Sequence, residues 1–176
     1  MIDTVFNALW FILPAYIANG SAVLLGGTGV IDMGQYLLRH RIFGDHKTIS
    51  GFLGGVMCAA VLGFIMGHLQ HDFESFFNIT LNFSMSLYNG LIIGAGAMSG
   101  DLLGSFIKRR LEMKSGQMAL GLDQLNFVFG AFIFSYFILG IIPTAGAIIF
   151  IIIITPILHL VFNKISYQIG TKKYPW

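Results

Sequence analysis

Long apolar stretches separated by short polar segments dominate the sequence. Five of them are long enough to cross a bilayer, since about 20 apolar residues span its hydrocarbon core; they cover approximately residues 5–25, 50–69, 87–107, 121–141 and 146–162. Each must be helical, because an open strand in lipid leaves backbone hydrogen-bonding groups unpaired. Pro14 and Pro156 predict kinks, and Pro143 a turn between the last two spans. The pattern predicts an all-α polytopic membrane helix bundle of about five transmembrane helices, forming a single domain over residues 1–176.

Small residues recur at helix-packing spacing within these stretches. Glycines four residues apart lie on one helix face and let two helix backbones approach closely in lipid. The pairs are Gly51/Gly55, Gly90/Gly94 and Gly100/Gly104. Helix packing explains them directly, and the alternative is that they leave room for a lipid headgroup or a nucleotide near the membrane surface.

The composition supports a membrane protein and excludes several other classes. Hydrophobic residues make up 56% of the chain and charged residues 10%, whereas soluble domains carry about 25% charged residues. A net charge of +2 is too small to indicate a nucleic-acid partner. The single cysteine, Cys58, lies in an apolar stretch and gives neither an internal disulfide nor metal-ligand spacing. The lipid bilayer is therefore the first partner that the sequence predicts.

All ten basic residues fall into alternate connections between the predicted spans. The first connection, the third and the C-terminal tail hold Arg39, Arg41 and Lys47; Lys108, Arg109, Arg110 and Lys114; and Lys164, Lys172 and Lys173, respectively. Because basic residues concentrate in cytoplasmic loops, we expect the N-terminus outside and the C-terminus in the cytoplasm. The opposite connection, residues 71–82, is aromatic and free of Lys and Arg, which indicates a segment in the headgroup region of the outer face.

Asp101 is the most informative polar residue, because a carboxylate inside an apolar span is costly and therefore a functional candidate. Ser105 and Lys108 follow at i+4 and i+7, so they share its helix stripe, with Arg109 alongside. One face thus offers an anion and cations that could contact phosphate oxygens. The alternatives are an Asp101 that reaches water or pairs with a lysine at the helix end, and a basic cluster that only anchors the helix to anionic lipid.

Asp123 opens the fourth span, and Asn126 follows it at i+3 on the same face. Mg²⁺ prefers carboxylates together with phosphate oxygens and water, so Asp101 and Asp123 could hold Mg²⁺ on a nucleoside triphosphate. The alternative for Asp123 is a carboxylate that complements the macrodipole at a helix N-terminus.

The first basic connection contains a candidate phosphate-binding segment in Asp45, Lys47 and Thr48, next to a glycine. It is not a Walker A motif, since both the spacing and the preceding strand are missing. Asp45 or Thr48 could instead cap the second span.

Two further polar residues, Asn19 in the first span and Asp32 after a glycine-rich segment, lie toward the same side. Substrate contact competes there with an interhelical hydrogen bond for Asn19 and a loop turn for Asp32. The histidines lie in the connections, except His159 in the last span, and none has the neighbours of a metal triad or a catalytic dyad.

Several of these segments together resemble the integral-membrane phosphatidate cytidylyltransferases. The resemblance rests on GDLLGSFIKRR at residues 100–110, Lys114, and LDQLN at residues 122–126. YIAN at residues 16–19, GDHKTISG at residues 44–51 and GLDQL at residues 121–125 look like the archaeal branch of that family, the CDP-archaeol synthases. The resemblance extends from about Asn19 to Phe127, and the last span adds only hydrophobicity.

The resemblance implies an enzyme that transfers a cytidylyl group from CTP to an isoprenoid glycerol-phosphate lipid and releases pyrophosphate, with Mg²⁺ as cofactor. Its site would face the cytoplasm from the cell membrane. By position, Asp101 and Asp123 would be metal ligands. The remaining contacts with substrate would come from Asn19, Asp45, Lys47, Thr48, Ser105, Lys108, Arg109, Lys114 and Asn126. The family usually has Asp where this chain has Asn126, and an amide oxygen coordinates a cation only weakly or through water.

Two other functions fit parts of the sequence. A small transporter or membrane-assembly subunit could use Asp101 in an ion path, but it leaves Asp123 and Lys47 unconnected and the chain shows no inverted repeat. The phosphotransferases that consume CDP-lipids require a dense helix motif of several Asp residues, which this chain lacks.

Overall fold

The apolar stretches of the sequence form the long helices of the protein. The structure, a computed structural model, describes residues 2–27, 29–37, 40–113, 117, 119 and 121–170. In this described part, five helices are long and apolar enough to cross a membrane. The elements are α1 (Ile2–Leu25), β1 (Tyr36–Leu37), β2 (His40–Arg41), α2 (Ile49–Phe77), α3 (Leu87–Arg110), α4 (Leu122–Phe134), continued by a π-helical segment (Ser135–Leu139), and α5 (Ala145–Gln168). The predicted all-α membrane bundle is confirmed.

Helix α2 is longer than the apolar pattern predicts. It continues to Phe77, so the first half of the connection assigned to the headgroup region is helical. Aromatic packing holds this extension, because the Phe73 ring lies 4.7 Å from Trp10 and 5.7 Å from Phe6, centroid to centroid. The helix ends where Asn78 adopts a left-handed conformation with φ of 50°, which Asn tolerates better than most residues.

Helix α3 is central and α5 peripheral. Helix α3 packs against α1, α2 and α4, whereas α5 packs against α1 and α4 and, within the described residues, not against α2 or α3. Half of the most apolar window of α3 is buried inside the protein, against 17% for α5. The fully buried side chains include Phe11, Ile93, Phe127 and Ile151. The faces of α5 that point away from the bundle are therefore left to lipid.

The closest helix contacts are made by glycines, as the sequence predicts. A Cβ on Gly55 would come within 2.7 Å of the Ala18 carbonyl oxygen, and one on Gly130 within 2.8 Å of the Gly100 backbone. Side chains at these positions would force the helices apart. Packing accounts for the glycine pairs, and Gly51 in addition lines a cavity at the end of the bundle.

Replacing Gly130 by Ala should lower the thermal stability of the purified protein in detergent, because the added methyl group meets the α3 backbone. Overpacking of this kind costs about 1–3 kcal/mol. Gly20→Ala is the matched control, since Gly20 also lies inside a helix but has no neighbouring atom within 4 Å of the added Cβ. Thermal unfolding of both variants checks the contact, and equal midpoints would contradict it.

Candidate active site at the basic end of the bundle

A cavity of about 820 Å³ occupies the end of the bundle where the basic connections meet. Its walls come from the C-terminal ends of α1, α3 and α5, the N-terminal ends of α2 and α4, and the connection between α1 and α2. Residues distant in sequence thus share one polar chamber next to the apolar body of the bundle. The basic segments before α2 and at the end of α3 lie at the same end, as the charge pattern predicts.

Most of the predicted site residues line this cavity. They are Asn19, Asp45, Lys47, Thr48, Asp101, Ser105, Lys108, Arg109 and Asp123. The stripe predicted on α3 is therefore confirmed as one cavity-facing surface. Lys114 lies outside the described residues.

The first of two lysine–carboxylate pairs joins the α1–α2 connection to α3. The Nζ atom of Lys47 donates to the Asp101 carboxylate, and both side chains are partly exposed at the cavity wall. The lysine pairing considered for Asp101 is thus present, but its partner comes from 54 residues away rather than from its own helix end. Because the pair lies at the cavity, both charges can also be reached by a ligand.

The second pair joins α3 to α4. Lys108 Nζ donates to Asp123 Oδ1 at 2.6 Å, and the backbone N–H of Ala119 donates to Asp123 Oδ2 at 2.8 Å. Asp123 lies in the first turn of α4, so it also complements the helix macrodipole. Asp123 therefore lies at the cavity, as a site residue should, and also stabilises the N-terminus of α4, which was the structural alternative.

The two carboxylates fit a divalent cation only if a substrate supplies further ligands. Within the described residues, no group of three or more His, Cys, Asp or Glu side chains could hold a metal ion. Mg²⁺ is commonly bound by one or two carboxylates together with substrate phosphates and water. Asp101 and Asp123 on the wall of one cavity match that donor set.

Asn126 differs from its expected position. Among the described residues that line the cavity it is absent, and its side chain lies at the α3–α4 contact, where a Cβ on Gly104 would meet it. Its Oδ1 accepts a hydrogen bond of 2.6 Å from the backbone N–H of Phe127. Asn126 faces α3 as Asp123 does, since Asp123 pairs with Lys108 and Asn126 lies against Gly104. The close approach at Gly104 holds the Asn126 side chain between the helices and away from the cavity lining.

The α1–α2 connection is organised around Asp32. Arg41 grips its carboxylate with two nitrogens, of which Nε lies 3.2 Å from Oδ2. The backbone N–H groups of Gly34, Phe43 and Gly44 also donate to it, at 3.1–3.2 Å. The Arg41 guanidinium, more than the backbone donors, holds the pKa of Asp32 well below its ordinary value. Asp32 is buried and does not line the cavity, so the loop-turn alternative is the correct one.

Lys47 and Thr48 are positioned by backbone pairing within the same connection. The Ile31 N–H donates to the Lys47 carbonyl at 2.9 Å, and Val30 pairs with Thr48 in an isolated bridge. The Thr48 hydroxyl accepts from the Gly51 N–H at 3.1 Å and caps α2. Capping is therefore confirmed for Thr48, whereas Asp45 pairs with Arg41 at 2.5 Å.

The ordering of this connection should depend on the ionised form of Asp32. Because its folded pKa is depressed, its stabilisation is complete above the ordinary Asp pKa of about 3.9 and is lost as the pH falls below it. Asp32→Asn should lose the stabilisation at neutral pH as well. Limited proteolysis in detergent should cut residues 26–48 faster in this variant than in the wild type at pH 7, and equal rates would contradict the role of Asp32.

Helix α5 contributes two polar residues that the sequence did not predict for the site. His159 and Asn163 lie one turn apart and both line the cavity. The Nδ2 atom of Asn163 lies 3.0 Å from Nδ1 of His159. The signal was present in the sequence, as two polar residues four apart in a very apolar stretch, but neither has a motif around it. The view that the last span adds only hydrophobicity is therefore wrong.

The geometry can be compared with known proteins. The CarS-like family model, described as CDP-archaeol synthase, matches residues 1–176. The chain belongs to the CDP-archaeol synthase family. It is 41% identical to a CDP-archaeol synthase of Pyrococcus abyssi, with 99% of this chain and 100% of that one covered. It is 43% identical to one of Thermococcus gammatolerans, with 99% and 98% covered.

A solved structure gives the same fold. It is described as an intramembrane enzyme for archaeal membrane lipid biosynthesis, and it matches with a TM-score of 0.78 and 33% identity over 90% of this chain and 94% of that one. CDP-archaeol synthase family membership thus covers α5 as well as the segments that carry the resemblance. With these relatives and five apolar helices, the protein is an integral membrane enzyme, and the transporter alternative is not supported.

Proposed function

We propose that this protein transfers the cytidylyl group of CTP to the phosphate of a glycerol lipid carrying two geranylgeranyl chains, forming CDP-archaeol and pyrophosphate. Besides family membership, the lining of the cavity supports this proposal. A polar cavity of about 820 Å³ lies at the end of a membrane bundle and is lined by two lysine–carboxylate pairs. Such a chamber can take a charged nucleotide from water and a phosphate headgroup from the adjacent leaflet.

The reaction needs positioning and charge neutralisation more than a protein nucleophile. A lipid phosphate oxygen, already anionic at neutral pH, attacks the α-phosphorus of CTP. The bond from that phosphorus to the oxygen bridging the β-phosphate breaks, and pyrophosphate leaves with the electron pair. Lys47, Lys108 and Arg109 line the cavity and would neutralise the negative charge that spreads over the phosphate oxygens.

Asp101 and Asp123 would hold a Mg²⁺ ion that triphosphate oxygens also bind. The ion supplies charge neutralisation at the triphosphate. If Asp101 and Asp123 hold such an ion, the ammonium groups of Lys47 and Lys108, which pair with these carboxylates, would be available to the phosphate oxygens. Ser105, one turn from Asp101 on the cavity-facing stripe, adds a hydroxyl donor.

The experiment that tests the function is a reconstitution in detergent. Purified protein should convert CTP and the isoprenoid glycerol phosphate to a CDP-lipid, detected by mass spectrometry, and removal of divalent cations by chelation should stop the reaction. An unchanged rate after chelation would contradict the Mg²⁺ assignment. No CDP-lipid under any condition would contradict the function.

We propose that the cavity faces the cytoplasm, because basic residues concentrate around it. On a Cys58→Ser background, a cysteine at Glu112 should react with a membrane-impermeant thiol reagent only from the cytoplasmic side. A cysteine at Asp72, at the other end of α2, should react only from outside. Labelling of both positions from the same side would contradict this orientation.

A further inference from the structure

His159 and Asn163 on α5 form a polar cluster that the proposed chemistry does not use. Both line the cavity, and Asn163 is 6% exposed. The neighbouring residues Leu160, Val161 and Phe162 are exposed on the faces of α5 that meet lipid. Polar side chains in so apolar a span are costly to insert and are functional candidates.

The position of α5 separates this cluster from the cations assigned to the triphosphate. Lys47, Lys108 and Arg109 lie on the α1–α2 connection and on α3. Helix α5 packs on α1 and α4, and in the described part of the chain its backbone does not come close to that of α2 or α3. His159 and Asn163 therefore lie on the wall between the cavity and the surrounding lipid, which a membrane-borne substrate meets as it enters from the leaflet.

The contact within the cluster fits one of the two neutral tautomers of His159. The Asn163 Nδ2 atom can only donate, so Nδ1 of His159 accepts across the 3.0 Å contact. The neutral ring then carries its proton on Nε2. An N–H donor at the cavity suits an anionic oxygen, and a phosphate monoester offers up to three of them.

We propose that His159, oriented by Asn163, binds the phosphate of the lipid substrate and so aligns its attacking oxygen. The proposal rests on the proposed function and deepens it. The β- or γ-phosphate of CTP offers the same chemistry, but the place of α5 between cavity and lipid assigns the cluster to the lipid. If His159 binds the lipid phosphate, its substitution raises KM for the lipid; if it binds a phosphate of CTP, its substitution raises KM for CTP.

Two substitutions of His159 separate its two nitrogens. In His159→Gln the side-chain NH₂ falls near the position of Nε2 and keeps a donor for the phosphate. In His159→Asn the NH₂ falls near the position of Nδ1, and the donor at Nε2 is lost. The measurement is the steady-state rate in mixed micelles, with the lipid phosphate and CTP varied separately.

His159→Asn should raise KM for the lipid phosphate about 10- to 100-fold, as expected for losing a hydrogen bond to a charged group, and leave KM for CTP unchanged. His159→Gln should retain most of the lipid affinity. Leu160→Ala, on the lipid-facing side of the same helix, is the control and should match the wild type.

The inference is overturned if His159→Asn leaves KM for the lipid unchanged, or if it raises KM for CTP instead. It is also overturned if Gln and Asn at position 159 are equally impaired, which indicates a structural role. These outcomes require an active wild type, so they are distinct from failure of the proposed function, in which the wild type itself forms no CDP-lipid.

Discussion

Asp101→Asn and Asp123→Asn should each lower turnover by 10²- to 10³-fold, corresponding to a transition-state stabilisation of about 2.7–4 kcal/mol. Each substitution removes a full negative charge from a site proposed to hold a divalent cation on a triphosphate. It also leaves the partner, Lys47 or Lys108, without its carboxylate. The rate is measured as CDP-lipid formed under saturating CTP and lipid, at a matched amount of folded protein.

Folding should suffer little in these variants. The amide is nearly isosteric with the carboxylate, and a lost ion pair that reaches a polar cavity costs about 1 kcal/mol. The control is Asp72→Asn. Asp72 lies near the C-terminal end of α2, whereas the cavity lies at the N-terminal end of that helix, so this variant should keep full activity. If either variant forms product near the wild-type level at equal thermal stability, the substituted residue has no role in catalysis.

Asn126→Asp adds a carboxylate one helical turn from Asp123. We expect this variant to be tolerated or activated. Its carboxylate can still accept the hydrogen bond from the Phe127 N–H that Asn126 Oδ1 accepts, and a turn of the side chain toward Asp123 would add a cation ligand. Activity measured over a range of Mg²⁺ concentrations checks this, and a loss of activity as large as that of Asp123→Asn would contradict it.

Lys47→Met and Lys108→Met should each lower kcat/KM for CTP by about 10²- to 10³-fold, the loss typical for removing one electrostatic contact from a developing anionic centre. Met keeps most of the methylene chain and removes only the charge. Lys47 and Lys108 neutralise Asp101 and Asp123, respectively. If a cation took their place at the carboxylates, both ammonium groups would be available to the triphosphate.

The control for these variants is Lys164→Met, which removes an exposed cation from α5 outside the cavity lining and should leave kcat/KM unchanged. Titration with Mg²⁺ gives a second readout. Removing Lys47 or Lys108 should strengthen Mg²⁺ binding to the protein without nucleotide, because a competing positive charge is lost. Weaker Mg²⁺ binding in both variants would contradict the proposed exchange between lysine and cation.

Hydropathy and charge predict much of this fold from the sequence. About 20 apolar residues per span and the need to pair backbone groups in lipid fix the helices, and alternating basic connections identify the end of the bundle where the site lies. The i, i+4, i+7 spacing of Asp101, Ser105 and Lys108 predicts their common face, because helical periodicity is a local property.

Contacts between distant segments could not be predicted in this way. Nothing in the local pattern pairs Lys47 with Asp101, since their contact depends on the fold of the α1–α2 connection around Asp32 and Arg41. Helical spacing places Asn126 on the face of Asp123, but it does not reveal that the Asn126 side chain packs at Gly104 of the neighbouring helix and does not line the cavity. His159 and Asn163 were overlooked because their role depends on α5 lying against the open side of the cavity.

The transfer of the cytidylyl group itself is tested most directly by the position of a label in CTP. Purified protein is incubated with the isoprenoid glycerol phosphate and with CTP carrying ³²P at either the α- or the γ-position, and the lipid phase is extracted. If the cytidylyl group is transferred, the α-label enters the lipid while the γ-label is released as pyrophosphate. Label from the γ-position in the lipid, or none from either position, would contradict it.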